Sequence, residues 1–175
     1  MDRIRRVVTG LREGRSVVVA DHLVDPVRVG LYPDTDFFLL WGFNGVPAVG
    51  SGDGGPEFAP YFPAPGGTRF VLLRWPADGS PEPVGTAEEL TEEMERRLPG
   101  ALGAIHGHPR GPHATDTVDW CMVLDGDMLM ALDDGEVRLG AGDVVVQRGT
   151  LHSWRNPGRR PVLMLFALIG AHRTR

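Results

Sequence analysis

The 175-residue chain contains no lysine, so all 18 of its basic residues are arginine. That excludes a lysine Schiff base and the lysine of a phosphate-binding P-loop. It has one cysteine, Cys121, so no disulfide can form within the chain. A single thiol fits a reducing compartment. No apolar run is long enough to span a membrane as a helix. The basic start MDRIRRVVTG is not followed by the apolar stretch of a signal peptide. A cytoplasmic protein is expected. Acidic residues outnumber basic ones, giving a formal net charge of −5. The doublets Arg5-Arg6, Arg96-Arg97 and Arg159-Arg160 are scattered and make no basic patch. Neither nucleic acid nor an anionic membrane is an expected partner.

What the chain does have is short apolar runs punctuated by glycine and proline. RIRRVVTG and RSVVVADH read as two strands around the turn LREG, and DFFLLWGFN (36–44) and TRFVLLRWPA read as two more. Between these pairs, residues 45–67 are dense in Gly and Pro, the strongest breakers of regular structure. This segment is either a surface loop or an arm or lid, since Phe58, Tyr61 and Phe62 give it something to bury. TAEELTEEMERRL is the one clear helix. Thr86 and Glu89 form a capping box, and Arg96 and Arg97 suit the negative end of its dipole. Its acidic run is a solvated face.

From Gly111 onward, six short strands alternate with glycine-bearing turns. This spacing predicts a meander closing into a barrel or sandwich. It opens with HATDTVDW (113–120), whose alternate residues His113, Thr115, Thr117 and Asp119 share one face of a strand. Six residues of straight strand span about 20 Å. One metal could not then reach both His113 and Asp119, so a shared metal requires a bend near TDT.

The segment VLDGDMLMALDDGEVRLGAGDVVVQRGTLHSWRN (123–156) resembles the cupin family. The resemblance rests on Gly126, the GAGD turn, and GTLHSWRN with His152 and Asn156, and it covers residues 111–170. It also extends to small stand-alone cupins with TDTVD and QRGT segments, many of which look like tailoring proteins of secondary metabolism. Aligned on Gly126, the family's acid falls at Asp119 and its first histidine at His113, while Thr115 stands at the second histidine. HGH (106–108) is a literal His-x-His, but no acid follows at the family's distance, so His106 and His108 are expected in a surface loop.

The resemblance implies an all-β protein: a cupin-type antiparallel barrel or jelly roll with one short helix and N-terminal strand extensions. Residues 108–175 would form the cupin core. Residues 1–107 would pack their strands, arm and helix on it, within one structural domain. Asp119, His113 and His152 would be the catalytic residues, with Thr115, Thr117 and Trp154 contacting a small-molecule ligand. A divalent metal (zinc, iron or manganese) on His113, Asp119 and His152 is one expectation, and a metal-free site is the other. The structural alternative for the two histidines is a satisfied interior position. For Trp154 and Trp41 it is core packing, for Thr115 and Thr117 simple strand formation, and for Cys121 a small buried residue. The implied activity is Lewis-acid or acid–base chemistry on a polyketide-like or carboxylated metabolite, such as cyclisation, dehydration, decarboxylation or isomerisation. The alternatives are a metal-free ligand-binding or sensor protein and a non-haem iron dioxygenase. A homodimer is expected, because the first two strands are apolar and leave open edges.

Overall fold

In a computed structural model of the chain, residues 3–49 and 55–174 are described. The first hairpin pairs β1 (Ile4–Arg12) with β2 (Arg15–Val24). Glu13 and Gly14 both adopt positive φ at its tip, as a tight hairpin turn requires. Then follow β3 (Asp36–Phe43), β4 (Thr68–Trp75), α1 (Ala87–Arg97) and two short strands, β5 (His106–Gly107) and β6 (His113–Ala114). The remaining strands are β7 (Thr117–Asp125), β8 (Met128–Leu132), β9 (Gly135–Leu139), β10 (Val144–Gln147), β11 (Ser153–Arg155) and β12 (Val162–Gly170). The capping box of α1 is present, with the Thr86 side chain accepting from the Glu89 amide and Glu89 accepting in return. None of the described helices is long and apolar enough to cross a membrane.

The strands do not form a meander. A five-stranded sheet runs in the order β10-β7-β12-β4-β3 and faces a three-stranded sheet in the order β11-β8-β9. From β7 to β12 the chain therefore crosses between sheets, as in a jelly roll. The GAGD turn directs one crossing. The Asp143 carboxylate accepts from the Gly140 amide at 2.8 Å, and the Asp143 carbonyl and Gly142 amide bond to Val123 of β7. That seats β10 beside β7 instead of beside β9. The core lies between the sheets, built from residues such as Val71, Leu73, Val123, Met128, Met164 and Phe166. Met94, Leu98 and Ala101, from α1 and the turn after it, join the same cluster.

A second difference concerns β3 and β4. The sequence reading sets them outside a core of residues 108–175. In the structure they continue the main sheet, β4 pairing with β12 from Val162↔Trp75 to Ile169↔Thr68. The physical reason is that β12 is apolar at every position along its length, with no face or edge suited to water, and has two edges to satisfy. Its second edge is taken by β7.

Of the Gly/Pro-rich segment, residues 50–54 lie outside the described residues. Residues 55–67 are held down. The buried Arg69 guanidinium donates to the carbonyls of Pro60, Phe43 and Thr68 and to Asn44 Oδ1, at 2.5 to 3.1 Å. The segment also lies directly on glycine backbone. A Cβ added to Gly170 would sit 2.0 Å from the Ala64 carbonyl oxygen. Gly170→Ala is therefore expected to push the arm off β12. Overpacking of this kind costs about 1–3 kcal/mol, or roughly 3–10 °C in Tm for a chain of this size. Thermal melts and faster amide exchange over 57–64 check this, and unchanged values in both would show that the arm is not seated by this contact.

Candidate active site

A cavity of about 430 Å³ lies between the two sheets. Its wall is mostly apolar and aromatic, and His113, Thr115, Asp119, His152 and Trp154 all open onto it. The local chain path explains the convergence. β7 alternates strictly, with Thr117, Asp119, Cys121 and Val123 inward and Trp120, Met122 and Leu124 outward. Between β6 and β7 the regular pairing stops at Thr115 and Asp116, where the sequence requires a bend. This break turns His113 towards the second sheet. There it sits opposite His152 in an antiparallel bridge closed by two backbone hydrogen bonds of 2.9 Å. The imidazole centroids are 4.7 Å apart, and the indole of Trp154 meets His152 edge-on at 5.7 Å.

Each histidine is fixed through the same nitrogen. His113 Nδ1 lies 2.9 Å from the Gly111 carbonyl and His152 Nδ1 lies 2.9 Å from the Thr150 carbonyl. A carbonyl only accepts, so Nδ1 carries the proton in both rings and each Nε2 lone pair is left free. Burial holds His152 below the ordinary histidine range. Its bond to Thr150 acts the other way, and neighbouring His113 adds to the lowering. His152 is neutral at pH 7.

Asp119 is buried, and its Oδ1 has no hydrogen-bond partner among the described residues. Burial pushes its carboxyl up to about 6, opposed by the Thr117 hydroxyl. Opposite it on β10 stands Gln147, whose side-chain oxygen is occupied by the Arg148 amide and the Thr150 hydroxyl. Thr117 is buried but does not line the cavity. Its hydroxyl bonds that of Thr115 at 2.8 Å, so it supports the wall from behind.

The three-ligand metal set does not fit this arrangement. Among the described residues, no three His, Cys, Asp or Glu side chains are grouped so as to hold a metal ion. His113 and His152 adjoin, but Asp119 shares their cavity without joining them in a coordination shell. The spacing rule ensured a common face, and a common face is a looser condition than ligands about 2 Å from one ion. His106 and His108 are exposed, and His106 pairs with Asp116 at 3.1 Å on the outside. Cys121 is buried and its thiol is pushed up by burial. Trp41 is half-buried, with the Arg6 guanidinium 5.5 Å from its ring centroid.

Sequence motifs give no warning of several wall residues. Both of the chain's 2 tyrosines line the cavity. Tyr61 comes from the arm, and burial raises its phenol above the usual range. Tyr32 donates to the Pro109 carbonyl, and burial raises it to about 12. Their scarcity and the aromatic content of the arm were the only available signals. Asn156 acts on the mouth of the cavity. Its side chain donates to the carbonyls of Pro76 and Arg160 and accepts from the Gly158 amide, holding the 76–80 loop in place.

Jelly-roll topology, a glycine turn at Gly126 and a paired-histidine cavity together define the cupin class. Residues 98–168 match the cupin domain family. Among its relatives is phomopsin biosynthesis cluster protein C′ of Diaporthe leptostromiformis, 56% identical over 65 residues, which are 34% of this chain and 34% of that protein. Another is the cupin-domain-containing oxidoreductase fogC of Aspergillus ruber, 41% identical over 61 residues, covering 33% of this chain and 30% of that one. The matched segments thus span about a third of these relatives' own length. A putative ethanolamine utilization protein from Salmonella typhimurium superposes over 98% of both chains at 13% identity with a TM-score of 0.49.

The Asp119 proton also couples the site to stability. The folded carboxyl holds its proton to about pH 6, whereas a free aspartate loses it near pH 4. Its stabilising contribution is fully present below about pH 4. It is lost as pH rises through 6, when the folded state must bury a charge. The full difference is at most about 3 kcal/mol. Asp119→Asn, which keeps the shape and removes the charge, is expected to raise Tm at pH 7.5 by up to about 10 °C and to leave it unchanged at pH 4. Melts of both proteins across that range check the sign; a variant less stable at pH 7.5 would mean that the ionised carboxylate is paired.

Proposed function

We propose that this protein is an enzyme that moves protons on a small, largely apolar carbonyl compound, with Asp119 as acid and the His113–His152 pair as base. The observation that carries this reading is Asp119 itself: a buried carboxyl with an unpartnered oxygen, sharing one apolar cavity with two imidazoles whose Nε2 atoms are free. Burial raises Asp119 and lowers His152, and two groups shifted towards one another suit an acid–base pair. A protonated Asp119 donates to the substrate carbonyl oxygen. The facing Nε2 takes the proton from the adjacent carbon, giving an enol. Return of the proton elsewhere gives isomerisation, loss of a β-hydroxyl gives dehydration, and attack of the enol within the same molecule gives cyclisation. Thr115 and Trp154 position the substrate. The biosynthesis-cluster relative supports a small-molecule metabolite as substrate.

This chemistry needs Asp119 protonated and the histidine neutral. The rate is therefore expected to fall as pH rises through about 6 and to fall again in more acidic solution as the imidazole charges. The test is deuterium uptake from heavy water at the α-carbon of a panel of aryl ketones and β-hydroxy ketones, followed by NMR. Wild-type protein should catalyse the exchange, and Asp119→Asn and His152→Gln should each lose it by about 10²-fold or more. Tight binding of such compounds with no exchange would leave a binding protein or sensor instead.

The two adjacent imidazoles favour a second reading, in which a divalent metal takes part. The two Nε2 atoms would supply part of its shell, and a donor other than Asp119 the rest. Metal content of protein purified without chelator or a nickel column decides between them. One equivalent of zinc, iron or manganese, lost in His152→Gln, would replace the acid–base reading.

A further inference from the structure

The outer face of the five-stranded sheet is apolar and only half covered. Phe70, Trp120, Met122, Leu124, Val144 and Val146 all stand exposed on it, Trp120 and Val144 at 57%. Strand pairing joins them into rows. Val146 faces Trp120, Trp120 faces Ala167, and Ala167 faces Phe70 across four strands. At the β3 end the equivalent residues, Phe38, Leu40 and Leu72, are buried beneath Ile4 of the β1–β2 hairpin. Arg6 pins the hairpin there, donating to the Leu40 carbonyl at 2.8 Å. The β7–β10 half has no such cover among the described residues.

The hairpin is itself unfinished. It forms a two-stranded sheet of its own and exposes Val7, Leu11, Val18, Val19 and Leu23. A lone hairpin is marginal in water. At the base of the hairpin the charges are matched internally, Arg5 pairing with Asp21 at 2.6 Å and Arg3 with Asp25 at 2.7 Å. The bare half-sheet offers apolar side chains without a charged one among the six. One molecule thus carries two surfaces of matching chemistry that it cannot bring together itself.

We propose that a second copy of this chain covers the bare β7–β10 half of the sheet with its β1–β2 hairpin, reciprocally about a two-fold axis. Both surfaces being on one chain allows a reciprocal pair, which a two-fold axis closes, whereas head-to-tail repetition would run on as a ring or filament. Size agrees too. Side chains of these types present roughly 150–250 Å² each when free. The exposed fractions of the eleven residues then come to about 900 Å² per protomer. Each surface alone falls within the 300–600 Å² patch of an ordinary monomer, but the two together reach the roughly 800 Å² per partner of a specific interface. The interface is independent of the acid–base chemistry, since every residue in it points away from the cavity or belongs to the hairpin.

The experiment is sedimentation velocity between 1 and 100 µM on wild-type protein, Trp120→Gln and Val18→Gln, with circular dichroism to verify folding. Wild type should sediment as a dimer. Each variant, one on the sheet and one on the hairpin, should weaken association at least tenfold. Hydroxyl-radical footprinting of wild type covers the case of a variant that fails to fold: Trp120, Met122 and Leu23 should be protected at high concentration and labelled on dilution. A wild-type monomer at 100 µM would overturn the proposal. So would a dimer indifferent to both substitutions, or labelling of Trp120 that does not change with concentration, as would follow if a different protein or another segment occupied the face.

Discussion

Strand β7 is apolar on both faces, and the described residues cover only one of them. Its inward side carries Asp119, Cys121 and Val123, and its outward side carries Trp120, Met122 and Leu124, which stand exposed. Such a strand belongs in the interior of its sheet, with a neighbour on each edge. β12 and β10 complete its edges, and the three-stranded sheet roofs its inner face. The cavity exists because that roof stands off from β7 where Asp119 projects. The external patch exists because none of the described residues covers the other side. The pocket and the bare surface are thus the two sides of one strand.

Holding an unpartnered carboxyl on that strand has a cost that the surroundings do not relieve. A buried acid normally finds an arginine, a metal or a backbone amide. Arginines are plentiful here, yet those with buried acidic partners are spent elsewhere: Arg28 and Arg74 both bind Asp36. Burial raises the Asp119 carboxyl to about 6 instead, so it holds its proton only in mildly acidic solution. The two histidines beside the same cavity are tied by Nδ1 to carbonyls of their own loops, so neither ring is free to turn and pair with it. The cavity thus keeps several hydrogen-bonding atoms unsatisfied at once, an arrangement better suited to a visiting molecule than to stability alone.

Local periodicity was enough to find the strands, and the Thr86–Glu89 box was enough to find the helix. Alternation combined with the motif landmarks also put His113, Thr115, Asp119, His152 and Trp154 around one cavity. Three features escaped because they depend on contacts distant in the chain. The pairing of β4 with β12 joins residues some ninety positions apart, and no local pattern encodes it. Tyr32 and Trp75 reach the cavity only because β3 and β4 continue the main sheet. The Asp119 position relative to the two histidines depends on side-chain distances, whereas a sequence reports only which face a residue occupies. The expected meander failed for a related reason. Turn spacing marks where strands end without saying which neighbour the next one joins.

Arg69 gives the interior a fixed element beside this titrating one. In the cross-strand register Asp119 faces Leu168 and Leu168 faces Arg69, so the two buried ionisable groups occupy one row, about 10 Å apart in backbone. Burial lowers the Arg69 pKa, but a guanidinium does not give up its proton in a folded protein. Its planar fork divides among four oxygens of the arm and the adjoining strand ends, a geometry that an ammonium could not reproduce. Acidity can therefore switch the charge inside the cavity while the wall that Arg69 clamps keeps its shape.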